Sequence, residues 1–394
     1  MEQLSNRLKN LKPSATIAMT QKARELKSQG LDIISLSIGE PDFNTPDFIK
    51  EAAKKAIDEN WSAYTPIAGY QELREAIATK FRRDNHIDYK PSQIVVSTGA
   101  KQSIYNVLQS IVSKGDEVLV PTPYWVSYSD IIELSEGVPV FINTTIENDF
   151  KVTASQIEAA ITPKTKAIIF SSPCNPSGSV YTAEELKAIA QVLAKHKNIV
   201  IISDEIYEHI VYGDKIASMA SFPEVYDQTV TVNGLAKGFA MTGWRIGFIG
   251  APEWIAKACE TLQGQVTSGA NSIAQRAAIT ALLADPKEIR YMVDAFAERR
   301  AKMIQWANEI AGFKVNEPQG AFYLFPDVSA LFGKTFQGIT LHNADDVAMY
   351  LLEKALVAVV SGTSFGSPNC IRISYAAALD ELEEAMKRIK KALE

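Results

Sequence analysis

Seven short runs of aliphatic and β-branched residues, each bounded by turn-forming residues, recur between about residue 50 and residue 285, and they narrow the folds open to this chain. They span residues 94–98, 117–121, 138–142, 167–171, 199–204, 229–233 and 246–250. Their apolar residues are continuous and do not alternate with polar ones, the pattern of strands buried on both faces. Amphipathic stretches such as 103–113 and 183–195 lie between them and suit crossover helices. The economical reading is α/β, with a mostly parallel seven-stranded sheet covered by helices on both faces. Beyond Asp285 and Pro286 the pattern changes to a long charged helix (288–310), a strand-like piece (320–325), a helix (345–354), strand-like pieces (357–360 and 371–375) and a closing helix (380–393). That order predicts a smaller α+β domain, with the N-terminal segment folding back on it. The expected division is 48–287 for a large domain, and 1–47 with 288–394 for a small one.

Composition supports a globular protein of this size. The chain has 394 residues, 46% hydrophobic and 22% charged, enough to bury large cores and too long for one core to keep growing. Its net charge of −6, with both signs interspersed, argues against a nucleic-acid partner, which needs a basic face. No run of 18 apolar residues exists, and the N-terminal stretch is polar and broken by Pro13, so neither a membrane span nor a secretion signal is expected and the location expected is cytoplasmic. Three widely spaced cysteines, Cys174, Cys259 and Cys370, do not read as a disulfide framework. Four histidines fall in no metal-ligand spacing, although His209 follows Asp204, Glu205 and Glu208; no metal is expected.

In an open α/β sheet the chemistry collects at the carboxyl ends of the strands. After the first run comes Gly99-Ala100-Lys101-Gln102, small residues opening a helix, where free amides and the helix dipole favour a phosphate. After the fourth comes Pro173-Cys174-Asn175-Pro176-Ser177-Gly178, a turn whose Asn175 amide can donate to a ligand oxygen. Cys174 has no histidine in a matching motif and is not read as a nucleophile. After the fifth comes Asp204-Glu205-Ile206-Tyr207, where a carboxylate at the end of a buried strand needs a cationic partner. After the sixth, Lys237 lies among small and apolar residues from Gly234 to Gly247, where desolvation favours a nucleophilic amine. A phosphate cradle, a buried aspartate, an amide, a phenol and a desolvated lysine are together the parts that hold pyridoxal 5′-phosphate.

The lysine signature, with small and apolar residues before Lys237 and Arg245 eight positions later, resembles that of class I, fold-type I pyridoxal-phosphate aminotransferases. Lys12-Pro13-Ser14-Ala15-Thr16, Gly39-Glu40-Pro41-Asp42-Phe43, Pro123-Tyr124-Trp125-Val126-Ser127-Tyr128, Gly320-Ala321-Phe322-Tyr323 and Arg372-Ile373-Ser374-Tyr375 extend the resemblance to the aspartate aminotransferase subgroup of bacteria and plant plastids. The resemblance implies that Lys237 forms a Schiff base with the cofactor and moves the proton between substrate Cα and cofactor. Asp204 would pair with the ring nitrogen, Asn175 and Tyr207 would bond the phenolic oxygen, and Trp125 would stack on the ring. Arg245 with Gly99, Ala100 and Lys101 would hold the phosphate, with Tyr64 reaching it from the second subunit of a homodimer. Arg372 would clamp the substrate α-carboxylate beside Gly39, Trp125 and Asn175, while Lys101, Lys12 and Thr16 are the candidates for a distal carboxylate. Many relatives carry a serine where this chain has Gly234, so its phosphate would depend more on Arg245 and the helix N-terminus. The implied reaction moves an amino group between L-aspartate or L-glutamate and 2-oxoglutarate or oxaloacetate. Thr16 together with Lys101 also resembles plastid enzymes that use prephenate as acceptor, and the fold also serves β-lyases and, with an added basic helix-turn-helix segment, cofactor-sensing regulators.

Overall fold

The structure, a computed structural model, describes all residues except 1, 2, 4, 10, 12–14, 214 and 215, together with the side chains of residues 6, 15 and 16. The first strand, β1 (Ile34–Ser35), pairs far along the chain, as set out below. Among the described residues the central sheet holds β2 (Ile94–Ser97), β3 (Glu117–Pro121), β4 (Val138–Ile142), β5 (Thr165–Ser171), β6 (Val200–Asp204), β7 (Thr229–Gly234) and β8 (Gly247–Gly250), in the order β2-β8-β7-β6-β5-β3-β4. Every neighbouring pair from β7 to β4 is parallel; β8 is antiparallel to both β2 and β7. The seven runs read from the sequence are these seven strands, two with the same bounds and five with bounds shifted by one or two residues.

Alternate side chains explain why the runs are apolar throughout. Val95, Val118, Val120, Ile169, Val200, Ile202, Val232 and Ile249 pack under the helices Ala100–Ile111 and Glu253–Val266. Their neighbours Leu119, Ile168, Phe170 and Ile201 face the helix Ala183–Leu193 on the other side. That helix begins where Thr182 Oγ1 accepts from the Glu185 amide at 3.2 Å and Glu185 Oε2 accepts from the Thr182 amide at 2.8 Å, a reciprocal cap written in the sequence. Only β4, at the sheet edge, leaves residues such as Val138 and Phe141 exposed.

The C-terminal part is built around the helix Arg290–Asn308 and the closing helix Leu379–Ala392, whose Phe296, Met303, Leu382, Ala385 and Ile389 share a core with Phe322, Leu324, Ile371 and Ile373. Its strands are shorter than expected. The piece 320–325 yields only β9 (Tyr323–Leu324); a hairpin of β10 (Thr335–Phe336) and β11 (Ile339–Thr340) follows. The piece 357–360 is split into β12 (Val357–Ala358) and β13 (Val360–Ser361), because β12 pairs with β1 while β13 pairs with β14 (Ile371–Ser374), which also takes β9. The N-terminal segment therefore folds back as expected. Tightness in the helical pieces differs too: 288–310 opens as a 3-10 turn, Pro286–Ile289, and 345–354 ends as a wide turn, Leu351–Ala355, before Leu356 turns left-handed. No helix among the described residues is long and apolar enough to cross a membrane.

Candidate active site

Because β8 runs against the others, its first residues lie at the same edge as the carboxyl ends of β2, β3, β5, β6 and β7. A cavity of about 360 Å³ opens there, lined by residues that follow those strands: Lys101, Trp125, Asn175, Asp204, Tyr207, Lys237 and Arg245. Gly39, Glu40, Tyr323 and Arg372 close it from the other part of the chain.

At one end is a cradle for an anion. Gly99 (φ +84°) caps the helix Ala100–Ile111, so the first amides of that helix have no partner within it. A Cβ on Gly99 would fall 2.2 Å from Arg245 Nη2, and one on Gly247 would fall 2.1 Å from the Ala100 amide nitrogen. Gly99 thus leaves room for the guanidinium at the helix start, and Gly247 lets the first residue of β8 lie against the backbone there. Arg245 itself takes a left-handed backbone conformation (φ 59°) and donates to Thr242 O at 2.8 Å. Gly234, where a serine was the family expectation, has a packing reason of its own: a Cβ there would sit 2.8 Å from Ile246 O, in the tight β7–β8 crossing.

Deeper in, Asp204 ends β6 and is 4% exposed. Its Oδ2 accepts from Tyr128 Oη at 2.7 Å and its Oδ1 from the Ile206 amide at 3.2 Å. Burial nevertheless pushes its pKa up to about 6, against the pull of these bonds and of Lys237. Lys237 donates to Gly39 O, with Nζ 5.8 Å from the Tyr207 ring centre. Burial, opposed by the Glu40 carboxylate and assisted by Arg372 and Arg245, brings its pKa down to about 8. The amine therefore reaches its neutral, nucleophilic form at a lower pH than an ordinary lysine.

Opposite them, Tyr207 Oη shares a 2.7 Å hydrogen bond with Tyr323 Oη. Arg372, 2% exposed near the start of β14, donates to Asn175 Oδ1 at 3.0 Å and to Ser37 O at 2.6 Å, under the Tyr323 ring (4.7 Å). Its Nε is buried without a hydrogen-bond partner, as is Ser171 Oγ on the cavity wall. Lys101 is solvent-accessible at the rim, packed 4.9 Å over the Trp125 ring, and its pKa is lowered by desolvation and by Arg245.

These groups fit pyridoxal 5′-phosphate: a cradle of amides and guanidinium for the phosphate, a buried carboxylate in want of a cation for the ring nitrogen, and a desolvated amine for the aldehyde. Among the described residues given a site role in the sequence, Gly99 stands behind the cavity wall against Arg245, and Tyr64 is brought away from the cavity, 98% exposed on the surface. Lys12 lies outside the described residues, as does the Thr16 side chain, although the next residue, Ile17, lines the cavity. Sequence reasoning assigned no role to Tyr128, Tyr323 or Glu40. All three sit inside the quoted similarity motifs, and Tyr128, in the first turn of the helix Ser127–Leu134, meets the Trp125 ring edge to face with centres 5.6 Å apart. Cys174 is buried with its thiol pKa raised by that burial, in keeping with a structural role. No group of three or more His, Cys, Asp or Glu that could hold a metal ion is found among the described residues.

Comparison with known proteins bears on this arrangement. Residues 31–389 match the family model "Aminotransferase class I and II". A bifunctional aspartate aminotransferase and glutamate/aspartate-prephenate aminotransferase of Petunia hybrida is 47% identical, over 99% of this chain and 82% of the relative. Among solved structures, the aspartate aminotransferase of Rhizobium meliloti superposes with a TM-score of 0.97 at 40% identity, covering 99% of this chain and 98% of that one. The Thermus thermophilus aspartate aminotransferase solved with maleate gives a TM-score of 0.93 at 40% identity over the whole of both chains. The chain belongs to the class I and II aminotransferases, enzymes of the fold-type I class whose cofactor is pyridoxal 5′-phosphate.

Proposed function

We propose that this chain transaminates between a dicarboxylic amino acid, L-aspartate or L-glutamate, and a 2-oxo acid, 2-oxoglutarate or oxaloacetate. The observation that carries this reading is the presence of two further cations, Arg372 and Lys101, on the wall of the cavity that holds Lys237 and Arg245. A substrate with two carboxylates uses both. The Thermus relative was solved with maleate, itself a dicarboxylate.

When bound, the cofactor supplies an electron-withdrawing ring that accommodates the charge left on the substrate Cα. The chain's residues do the rest. Lys237 Nζ would hold the cofactor through its aldehyde and would carry a proton to and from the substrate Cα. Asp204 keeps the ring nitrogen protonated, and Tyr128 fixes the orientation of Asp204. Asn175 and Tyr207 would bond the phenolic oxygen, Trp125 would cover the ring, and Arg245 with Gly99, Ala100 and Lys101 would hold the phosphate. Arg372 receives the α-carboxylate in a planar two-bond geometry beside Gly39, a role that its buried, unpartnered Nε supports. Lys101, with Thr16 and Lys12, meets the distal carboxylate.

The exposure of Tyr64 supports its action from the second subunit of a homodimer. We further assign 48–287 to a large cofactor-binding domain and 1–47 with 288–394 to a small domain, in a cytoplasmic protein. Prephenate as acceptor is the second reading, favoured by the bifunctional Petunia relative. A panel of acceptors with aspartate and glutamate as donors tests both. Turnover with 2-oxoglutarate supports the first, turnover with prephenate adds the second, and release of ammonia and a keto acid by β-elimination, without transamination, overturns both in favour of a lyase.

A further inference from the structure

His209 belongs to no metal-ligand group among the described residues and nothing in the reaction uses it, yet it lies directly beneath the catalytic lysine's loop. A Cβ built on Gly238, the residue after Lys237, would come within 2.9 Å of His209 Cβ and Cδ2 and 3.2 Å of Cγ. The next residue, Phe239, meets the same imidazole edge to face, with ring centres 5.3 Å apart. Lys237-Gly238-Phe239 therefore rests on the His209 ring, and glycine is the only residue type that allows so close an approach at position 238.

The ring is in turn fixed from behind. His209 Nε2 lies 3.3 Å from Glu208 Oε1, and Glu208 is ion-paired with Lys80. Asn85 accepts from Lys80 Nζ at 2.6 Å and donates to Glu208 Oε2 at 2.8 Å and to Glu205 Oε2 at 3.3 Å. Ser203 and Ser218 close the network on Glu205 Oε1 at 3.0 and 2.6 Å. Lys80, Asn85 and Glu205 are each at most 5% exposed. Such a network has little freedom to reorganise, so it makes a rigid platform. The charged groups that face the imidazole are Glu208, Lys80, Asp84 and Arg83, and burial keeps the ring in its neutral form.

We propose that His209 is a positioning residue for Lys237: through its contact with Gly238 it sets where the lysine's loop, and hence Nζ, stands relative to the cofactor. This rests on Lys237 being the cofactor lysine, as proposed above. It makes no contact with substrate, and the substrate-binding groups Arg372 and Asn175 come from other elements.

The test uses the cofactor-loaded protein and reads the pH midpoint of its lysine-linked absorption band, with kcat and KM alongside. Gly238→Ala should displace the loop from the imidazole, move the midpoint, and lower kcat by about tenfold or more, since misplacement of a reacting group by less than an ångström suffices for that, with KM for amino donor within about twofold. His209→Gly frees the space that the added methyl group needs, because it removes both Cβ and Cδ2, the two atoms that the methyl group would meet at 2.9 Å. The double variant with His209→Gly should therefore recover most of the midpoint and rate lost in Gly238→Ala, and the single His209→Gly variant should show a smaller shift of its own. If Gly238→Ala leaves the midpoint at its wild-type value, or the double variant is no better than Gly238→Ala alone, the positioning role is overturned while the proposed function stands. A wild-type protein whose band belongs to another lysine overturns both.

Discussion

Asp204 and Glu205 are neighbours at the end of one strand, both nearly inaccessible to water, and both with carboxyl pKa values raised by burial, to about 6 and about 7. They are nonetheless opposite in kind. Glu205 is enclosed by Ser203, Ser218 and Asn85, with the Lys80–Glu208 pair beyond; every partner it needs is protein. Asp204 receives one phenol and one amide and still lines an open cavity with no cation bonded to it among the described residues. A perturbed carboxyl by itself does not mark a functional site. What distinguishes Asp204 is the bonding capacity left facing a space that a ligand can enter, whereas Glu205 spends the same buried charge on a platform beneath the catalytic loop.

The largest effect expected from this contrast is in turnover. Asp204→Asn should keep the fold and bind cofactor yet lose on the order of 10³-fold in kcat, because an amide cannot stabilise a pyridinium charge. Glu205→Gln should stay within several-fold. Single-turnover absorbance changes in the two variants would decide it; equal losses would erase the distinction. Next, Arg372→Lys should lower kcat/KM by roughly 30–100-fold for every amino acid substrate, since an ammonium cannot reproduce a planar two-bond clamp. A variant with unchanged steady-state kinetics would move the α-carboxylate site elsewhere.

Lys101 should give a smaller and more selective effect. Its solvent-accessible position at the rim screens its charge, so Lys101→Ala should cost about tenfold in kcat/KM for aspartate, glutamate and prephenate, with little change for alanine or phenylalanine. An equal loss for charged and uncharged substrates would assign Lys101 to the phosphate or the fold.

The smallest effect is in stability. Glu205 has a folded pKa raised above its unfolded value, so the native state keeps a proton that the unfolded chain has released. Its contribution is therefore favourable at low pH and declines as pH rises from about 4.5 toward about 7. Glu205→Gln should flatten that decline by roughly 1–3 kcal/mol, visible in denaturant midpoints at pH 5 and pH 7. An unaltered pH slope would mean that Glu205 ionises normally in the folded protein.

The sheet was legible because burial on both faces leaves an unbroken apolar run, as in 199–204 and 229–233. Direction was not legible: nothing in 246–250 says that β8 runs against its neighbours, since strand polarity comes from how the chain returns after Arg245. The two-residue strands of the C-terminal part were over-read as longer ones, because their register is set by distant partners, β1 for Val357–Ala358 and β14 for Val360–Ser361. In the site, residues whose chemistry demands an unusual setting were visible, Lys237 and Asp204 above all. Tyr128 was not, since a tyrosine becomes informative only when its partner is known, and Asp204 is 76 residues away. His209 stands out in the sequence only for its acidic neighbours, whose spacing matches no metal site; its contact with Gly238 is a matter of packing that composition does not encode.

The central claim, that this cavity is built around a lysine-linked cofactor, is tested most directly by reducing the cofactor-loaded protein with borohydride and mapping the modified peptide. The account predicts a single stable adduct on Lys237, absent from Lys237→Ala. An adduct on Lys101 or any other lysine, or none at all in a protein that still transaminates, would contradict it.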